Sequence, residues 1–242
     1  MWPRRRYLSS TSAWTRSDVR LRSRLVGVGV LLLVAFAVFG AWRWTQPAPE
    51  FREGDIIFQT SRSQQSRAIL IASRSLYTHM GILKRVQDGW VVVEAVGPVK
   101  ETPLDAWIAR GKFGRYALYR PLALTDAQRA QVFAAADRLY GWPYDLHFSF
   151  DNQAIYCSEL IWLAFGEAGI ELGRREKVAD LLISAGLVRR LISTRAESDE
   201  QCLSLGLRDQ ACIDHVVERE LVTPVSIARD ADLRKIYSNY PI

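Results

Sequence analysis

Apolar positions recur along this chain in three patterns, and each pattern names a different kind of element. Residues 25–42 form an 18-residue stretch without a charge, long enough to cross a hydrocarbon layer of roughly 30 Å with little to spare. Short runs at Ile56-Ile57-Phe58, His79-Met80-Gly81-Ile82-Leu83, Trp90-Val91-Val92-Val93-Glu94-Ala95-Val96 and Tyr116 to Tyr119 predict strands, the last ending at Pro121. Asp88-Gly89, between the second and third runs, is a hairpin signal. Helical spacing takes over elsewhere. It predicts a short helix over 63–73 and one or two turns over 103–110. The capping-box pattern Thr125-Asp126-Ala127-Gln128 starts a helix that buries Val132, Phe133, Ala136, Leu139 and Tyr140 and ends at Gly141. Leu160, Ile161, Leu163, Ala164, Phe165 and Ala168 define another, which Cys157 opens and Gly169 caps. An amphipathic helix is expected around Val178 to Leu191, and the region from Leu221, with Thr223-Pro224, is expected to return to the sheet. The order of strands and helices predicts an α+β domain over 54–242, with no internal repeat.

Charge divides the chain further. Residues 1–44 hold eight of the 32 basic residues and one of the 26 acidic ones, leaving 24 against 25 in the rest. The net +6 therefore belongs to the N-terminal tail, and the domain has no electrostatic footprint for nucleic acid. Arginines before an apolar run keep that side in the cytoplasm and suit an anionic inner leaflet. The expected organisation is a basic cytoplasmic tail over 1–24, a transmembrane signal anchor over 25–44, and a linker over 45–53 containing Pro47 and Pro49. The domain would then be exported, on the periplasmic or outer side of the inner membrane. The rival reading is a cleaved signal peptide, with Val38-Phe39-Gly40 as a weak cleavage pattern. No cysteine follows the run, which excludes a lipoprotein anchor.

Candidate chemistry centres on Tyr156-Cys157-Ser158-Glu159. A thiol becomes a strong nucleophile when ionised, and a helix N-terminus favours negative charge. A buried structural cysteine is the bland alternative, and the helix alone does not decide between them. His79 and Glu94 lie on the two strands of the expected hairpin and can face the same side. A carboxylate that fixes one imidazole nitrogen leaves the other for a thiol, the nucleophile–base–orienter arrangement. Alternation along the strand equally permits an outward-facing Glu94. Ser158 and Glu159 suit hydrogen bonding and charge matching at the helix N-terminus. Cys202 and Cys212, ten apart, could close a small loop in an oxidising compartment and leave Cys157 free, or all three could stay reduced. His147 and His215 have no ligand-spaced partners, so no metal or cofactor is expected. Trp107, Trp142 and Trp162 read as core, and Arg62, Arg67 and Arg74 as a solvated helix face or, less simply, a site for a carboxylate-bearing substrate.

Taken in order, Gly54-Asp55-Ile56-Ile57-Phe58, Tyr77-Thr78-His79-Met80-Gly81, Glu94-Ala95, Pro103-Leu104, Gly141-Trp142-Pro143-Tyr144-Asp145, Tyr156-Cys157-Ser158-Glu159-Leu160 and Thr223-Pro224 resemble a known family. It is that of the permuted papain-like amidases of the YiiX/YaeF type, relatives of the NlpC cell-wall hydrolases. The resemblance implies a circularly permuted papain-like fold, an antiparallel sheet packed with helices in which the His strand precedes the Cys helix. It implies Cys157 as nucleophile, His79 as base, Glu94 as orienting residue and Tyr144 as a contributor to the oxyanion hole. None of these four positions departs from the family's pattern. The expected activity is cleavage of an amide or ester through a Cys thioester, on cell-wall peptides or another envelope substrate. An acyltransferase or lipid-ester hydrolase using the same pair, and a tethered binding module without turnover, stand as alternatives. Oligomeric state is left open.

Overall fold

The computed structural model describes residues 49–241 except Asp151, together with a few positions between Val28 and Ala35. The expected tail, anchor and first part of the linker therefore lie largely outside the described residues. Among those described, no helix is long and apolar enough to cross a membrane.

Eight strands are present among the described residues: β1 (Ile56–Gln59), β2 (His79–Val86), β3 (Gly89–Ala95), β4 (Val99–Pro103), β5 (Tyr116–Pro121), β6 (Arg175–Lys177), β7 (Glu220–Val222) and β8 (Leu233–Ser238). Six form one sheet in the order β4-β3-β2-β1-β5-β8, every pairing antiparallel, while β6 and β7 pair separately. The hairpin expected at Asp88-Gly89 joins β2 and β3, with Val86 opposite Gly89 and Ile82 opposite Val93. Gly89 takes φ +137°, a conformation only glycine adopts freely in so tight a turn.

Alternation gives the sheet two apolar faces. Ile56, Phe58, Met80, Ile82, Val93 and Ala95 face one core, shared with α3 (Asp126–Asp137) and α4 (Cys157–Glu167). Leu160 and Ile161 of α4 are fully buried there, each contributing about 1.5–3 kcal/mol through burial. Ile57, Leu83, Val92 and Leu118 face the other core, covered by Leu104 and Trp107 of α2 (Leu104–Arg110). Phe51 packs on this face against Trp90, and the backbone carbonyl of Glu50 accepts from Arg120, so residues 50–53 belong to the folded body.

The α1 helix (Gln64–Ser73) begins at Ser63, whose hydroxyl accepts the Ser66 N–H, and α3 carries the expected Thr125–Gln128 capping box. Two expectations are changed by the structure, one of them in substance. The helix placed around Val178 to Leu191 is a 3-10 turn at Val178–Asp180, an extended break at Leu181, and then α5 (Gly186–Ala196). The break is held because the Leu182 N–H bonds to the Ala72 carbonyl of α1, a tertiary contact that overrides local periodicity. The second needs only refinement: the region from Leu221 does return to the main sheet, through β8, while Leu221 and Val222 first pair with β6 and Thr223 caps α8 (Pro224–Ala228). The short helices α6 (Glu200–Ser204) and α7 (Asp209–Val217) are joined by a Cys202–Cys212 disulfide, with Cα atoms 5.5 Å apart.

Candidate active site

Three elements bring the predicted residues together. His79 is the first residue of β2, Glu94 lies near the end of β3, and Cys157 is the first residue of α4. Glu94 lies on the α2 face of the sheet, while Cys157 belongs to the opposite core. His79, at the strand end, reaches both. Its Nε2 is 2.5 Å from Glu94 Oε2. Since a carboxylate can only accept, Nε2 carries the proton and Nδ1 is left for the thiol side. Close approach of β2 and β3 makes this geometry possible. A Cβ at Gly81 would fall 2.4 Å from Val92 Cγ1 and 2.7 Å from the Val93 carbonyl oxygen, so only glycine fits there.

The outward-facing alternative for Glu94 does not hold: its side chain is fully buried. Besides His79, Oε2 accepts from Trp107 Nε1 at 2.9 Å and Arg110 Nη2 at 2.5 Å, and Oε1 accepts from Thr102 Oγ1 at 2.6 Å. Burial alone would raise the Glu94 pKa, but the donors, His79 foremost, bring it down to about 2. His79 is held in the converse sense. Burial disfavours its charged form, yet hydrogen bonding and charge from Cys157 and Glu94 raise its pKa to about 9. The ring is therefore an imidazolium at neutral pH, facing a carboxylate on one side and sulfur on the other. Trp107 also stacks on it, with centroids 6.0 Å apart.

Cys157 is the free cysteine, and it is buried. Tyr156 precedes it as N-cap but makes no side-chain capping bond; its hydroxyl accepts the Val222 N–H instead. The first N–H groups of a helix have no intrahelical acceptor, so the Cys157 amide is available beside its own sulfur. Ser158 Oγ donates to the Val222 carbonyl, and Glu159 accepts the Tyr156 N–H, fixing this turn on β7. Burial raises the Glu159 pKa to about 8.

Tyr144 approaches the same place from the loop before α4. Its phenol pKa is pushed well above the ordinary value by burial and then by the charge of Cys157. Gln65 Nε2 donates to Tyr144 Oη at 3.2 Å, and Arg195 Nη2 donates to Gln65 Oε1 at 2.9 Å. Arg195 has only donors, so it fixes which end of the Gln65 amide faces Tyr144. Gln65 must then donate to the Tyr144 oxygen, leaving the phenolic proton free for a different acceptor.

Sequence reasoning missed this supporting ring. Thr102 lies on the unpredicted β4, and Arg195 lies past the expected end of its helix. Trp107 and Arg110 were visible as one helical face, but Trp107 read as core alone. His147 Nδ1 lies 3.5 Å from Asp199 Oδ2, and both line the cavity beside Cys157 without belonging to the Cys157–His79–Glu94 set; His215 sits on α7. Arg67 and Arg74 are exposed, as a solvated face would be.

A buried Cys–His–Glu constellation spanning a helix N-terminus and a hairpin defines a papain-like cysteine hydrolase with permuted strand and helix order. The chain belongs to the permuted papain-like amidase enzyme family, YaeF/YiiX (C92), whose model matches residues 50–237. It is 37% identical over 177 residues to the uncharacterized protein YiiX of Escherichia coli (strain K12), covering 72% of this chain and 83% of that one. It is also similar to the crystal structure of the metalloprotein yiiX from Escherichia coli O157:H7, DUF1105. The TM-score is 0.69 at 34% identity, over 78% of this chain and 98% of that one. Among the described residues here, no three His, Cys, Asp or Glu side chains form a group that could hold a metal ion, and His79 and Glu94 are committed to each other. The described residues do not fit a resident metal, and no step is routed through one.

Proposed function

We propose that this protein is a membrane-anchored cysteine hydrolase in which Cys157 is the nucleophile, His79 the acid and base, Glu94 the orienting residue and Tyr144 an oxyanion donor. The observation that carries this reading is His79 held between Glu94 and Cys157 with its pKa raised to about 9. The sulfur, as thiolate, attacks an amide or ester carbonyl carbon and forms a C–S bond. The oxyanion is stabilised by the Cys157 N–H and the Tyr144 O–H. As it collapses, the C–N or C–O bond breaks and the leaving group takes the proton from His79. Neutral His79 then removes a proton from water, which attacks the thioester. The C–S bond breaks, and the acid and the thiolate are released with His79 reprotonated.

Residues 25–44 are proposed as the anchor, with the catalytic domain on the periplasmic side. Supporting this, Val28, Val30, Leu31, Leu33 and Val34 are each more than half exposed, as suits a segment whose solvent is lipid, and a disulfide suits an oxidising compartment. The substrate is then an envelope amide or ester. The aliphatic surroundings of Cys157 favour an acyl compound over the peptide stems of the cell wall.

Two measurements test this reading. Iodoacetamide should modify Cys157 at neutral pH faster than it modifies a free cysteine, and His79→Ala should abolish that advantage. A Cys157 indifferent to His79→Ala would leave a tethered binding module on this fold. A reporter fused after Ile242 should be active only when exported, on protein that retains its N-terminus; a soluble product starting near Ala41 would replace the anchor with a cleaved signal.

A further inference from the structure

The two ends of the six-stranded sheet differ in charge. Residues 60–63, 74–78, 111–115 and 239–241 meet at the end where β1 and β8 finish and β2 and β5 begin, and they contain no Asp or Glu. They carry Arg62, Arg74, Lys112 and Arg115, none of which forms an ion pair among the described residues. At the opposite end, residues 50–55, 87–88 and 229–232 set Glu50, Glu53, Asp55, Asp88, Asp230 and Asp232 against Arg52 and Arg229. A nearly neutral domain is thus basic at the end where His79 lies.

Hydrogen bonds tie the basic loops into one surface. The Lys112 N–H donates to the Thr60 carbonyl at 2.8 Å, and Arg62 Nη2 to the Gly111 carbonyl at 3.2 Å. Thr60 Oγ1 donates to the Leu76 carbonyl at 2.5 Å, and Asn239 Nδ2 to the Gly114 carbonyl at 3.3 Å. Phe113 stands out from this surface, 73% exposed and at φ +61°. Left-handed backbone is strained for a bulky side chain, and here it serves no core packing, because Phe113 belongs to none of the apolar cores. Lys112 Nζ and the Arg115 guanidinium lie 5.6 and 5.3 Å from its ring centroid, so the ring is held up between two cations. Leu76 is exposed beside it in the loop before His79.

Single apolar side chains among cations suit the boundary of an anionic bilayer, where the apolar group enters the headgroup layer and the cations meet phosphate. A stable protein interface asks for more, about 800 Å² a side with anchors packed in pockets. We propose that the loops at the His79 end form a docking surface for an anionic bilayer, with Phe113 entering the headgroup layer and Arg62, Arg74, Lys112 and Arg115 facing lipid phosphate. Thr78 precedes His79 and Gly111 follows Arg110, so docking holds the catalytic set at the lipid surface. The contact requires neither the anchor nor Cys157 as nucleophile.

Full-length protein carrying Cys157→Ala is labelled, without reductant, with an environment-sensitive thiol dye at Phe113→Cys or Leu76→Cys. A third label, at Leu122→Cys, reports from the exposed loop after β5 at the opposite end. Each is reconstituted into vesicles of phosphatidylcholine, or of an equal mixture with phosphatidylglycerol. In the mixture alone, the dye at 113 and 76 should shift to the blue and be quenched by lipid-borne nitroxide, while the dye at 122 should not respond. Salt at about 1 M, where screening acts within about 3 Å, should reverse the shift; protein still on the vesicles in that salt scores the anchor separately. Lys112→Glu with Arg115→Glu should lower the docked-to-undocked ratio about tenfold or more at an unchanged circular-dichroism midpoint. A dye at 113 that stays in water in both lipids would overturn the surface, as would a response confined to 122. An equal shift in both lipids, indifferent to salt, would overturn the charge complementarity. A dye at 113 that responds to polyglutamate and to neither vesicle would assign the loops to an acidic protein and overturn the bilayer as partner.

Discussion

On one side of Cys157 the protein is a dense polar lattice, and on the other it is hydrocarbon. Glu94 takes four donors within 2.9 Å from β2, β4 and α2. The opposite wall, supplied by α1, α5 and β7, presents aliphatic carbon. The polar half rests on a sheet that positions His79, Glu94 and Thr102, with Trp107 and Arg110 added from the helix packed on it. The apolar half is assembled from short helices and an extended break joined by single hydrogen bonds, such as Leu182 N–H to Ala72 carbonyl. The first suits a task that must be the same in every turnover, holding one imidazole in one orientation between carboxylate and sulfur. The second suits a task in which shape and size decide, receiving part of a substrate. Substitutions in the two halves should therefore fail differently.

The largest effects belong to the polar half. Cys157→Ala and His79→Ala should each reduce kcat on the order of 10⁴-fold or more, with little change in unfolding midpoint for Cys157→Ala. Glu94→Gln should cost less, because it keeps the hydrogen-bonded shape while removing the charge that favours the imidazolium; a loss of about 10²-fold is expected. Steady-state kinetics with circular dichroism checks this ranking. Glu94→Gln falling as far as His79→Ala would mean that the carboxylate does more than orient.

Next comes the oxyanion side, where the two halves meet. Tyr144→Phe should lower kcat by about ten- to a thousandfold without altering the alkylation rate of Cys157, since alkylation develops no oxyanion. Gln65→Leu should lower kcat by a smaller factor and leave KM unchanged, because Gln65 acts only by setting which way the Tyr144 proton points. A Gln65→Leu effect confined to KM would make Gln65 a substrate contact instead of a positioning residue.

This division also explains what could be read from the amino-acid order. Asp88-Gly89 and the alternating runs beside it specify the hairpin, so the meeting of His79 and Glu94 was legible. So was the α4 start at Cys157, from the spacing of Leu160, Ile161, Ala164 and Phe165. Tyr144 carried no local signal of its own and was identified by family resemblance. Trp107 was hidden by its size, because an indole that packs a core and also donates one hydrogen bond looks like any core tryptophan. The apolar half was the least legible. Its helix boundary depends on the contact between Leu182 and Ala72, and no local pattern encodes a bond between residues 110 apart.

A smaller effect probes how the apolar half is held. The Cys202–Cys212 disulfide closes a short loop next to Asp199, which caps α6 through the Cys202 N–H and lies at the cavity margin. Reduction should destabilise the protein by about 2–3 kcal/mol on the loop-entropy estimate, measured as a shift in denaturation midpoint. Turnover of p-nitrophenyl acetate should barely change, since no catalytic side chain sits on the loop. Thiol titration of the denatured protein should find one free cysteine before reduction and three after. An acetate rate that collapses on reduction would couple the polar lattice to this loop, against the division drawn above.

The last effect is a pH dependence of stability, and its sign differs between groups. Glu94, depressed from 4.5 to about 2, contributes stability that is present above pH 4.5 and lost as pH falls through about 2. His79, raised from 6.5 to about 9, contributes stability that is complete below 6.5 and lost as pH rises through about 9. Glu159, raised from 4.5 to about 8 chiefly by burial, acts in the same direction: the folded state favours its neutral form, and that advantage is lost between those two values. The alkaline limb therefore has two contributors, one in the polar lattice and one at the turn that bears the nucleophile. Urea denaturation midpoints measured from below pH 4.5 to above pH 9 should decline on both sides. Glu159→Gln should flatten the alkaline decline beginning near 4.5 and leave the part between 6.5 and 9. His79→Ala should do the reverse. If Glu159→Gln leaves the whole alkaline limb unchanged, the carboxyl is not held neutral at the helix N-terminus, and the charge balance around Cys157 rests on His79 and Glu94 alone.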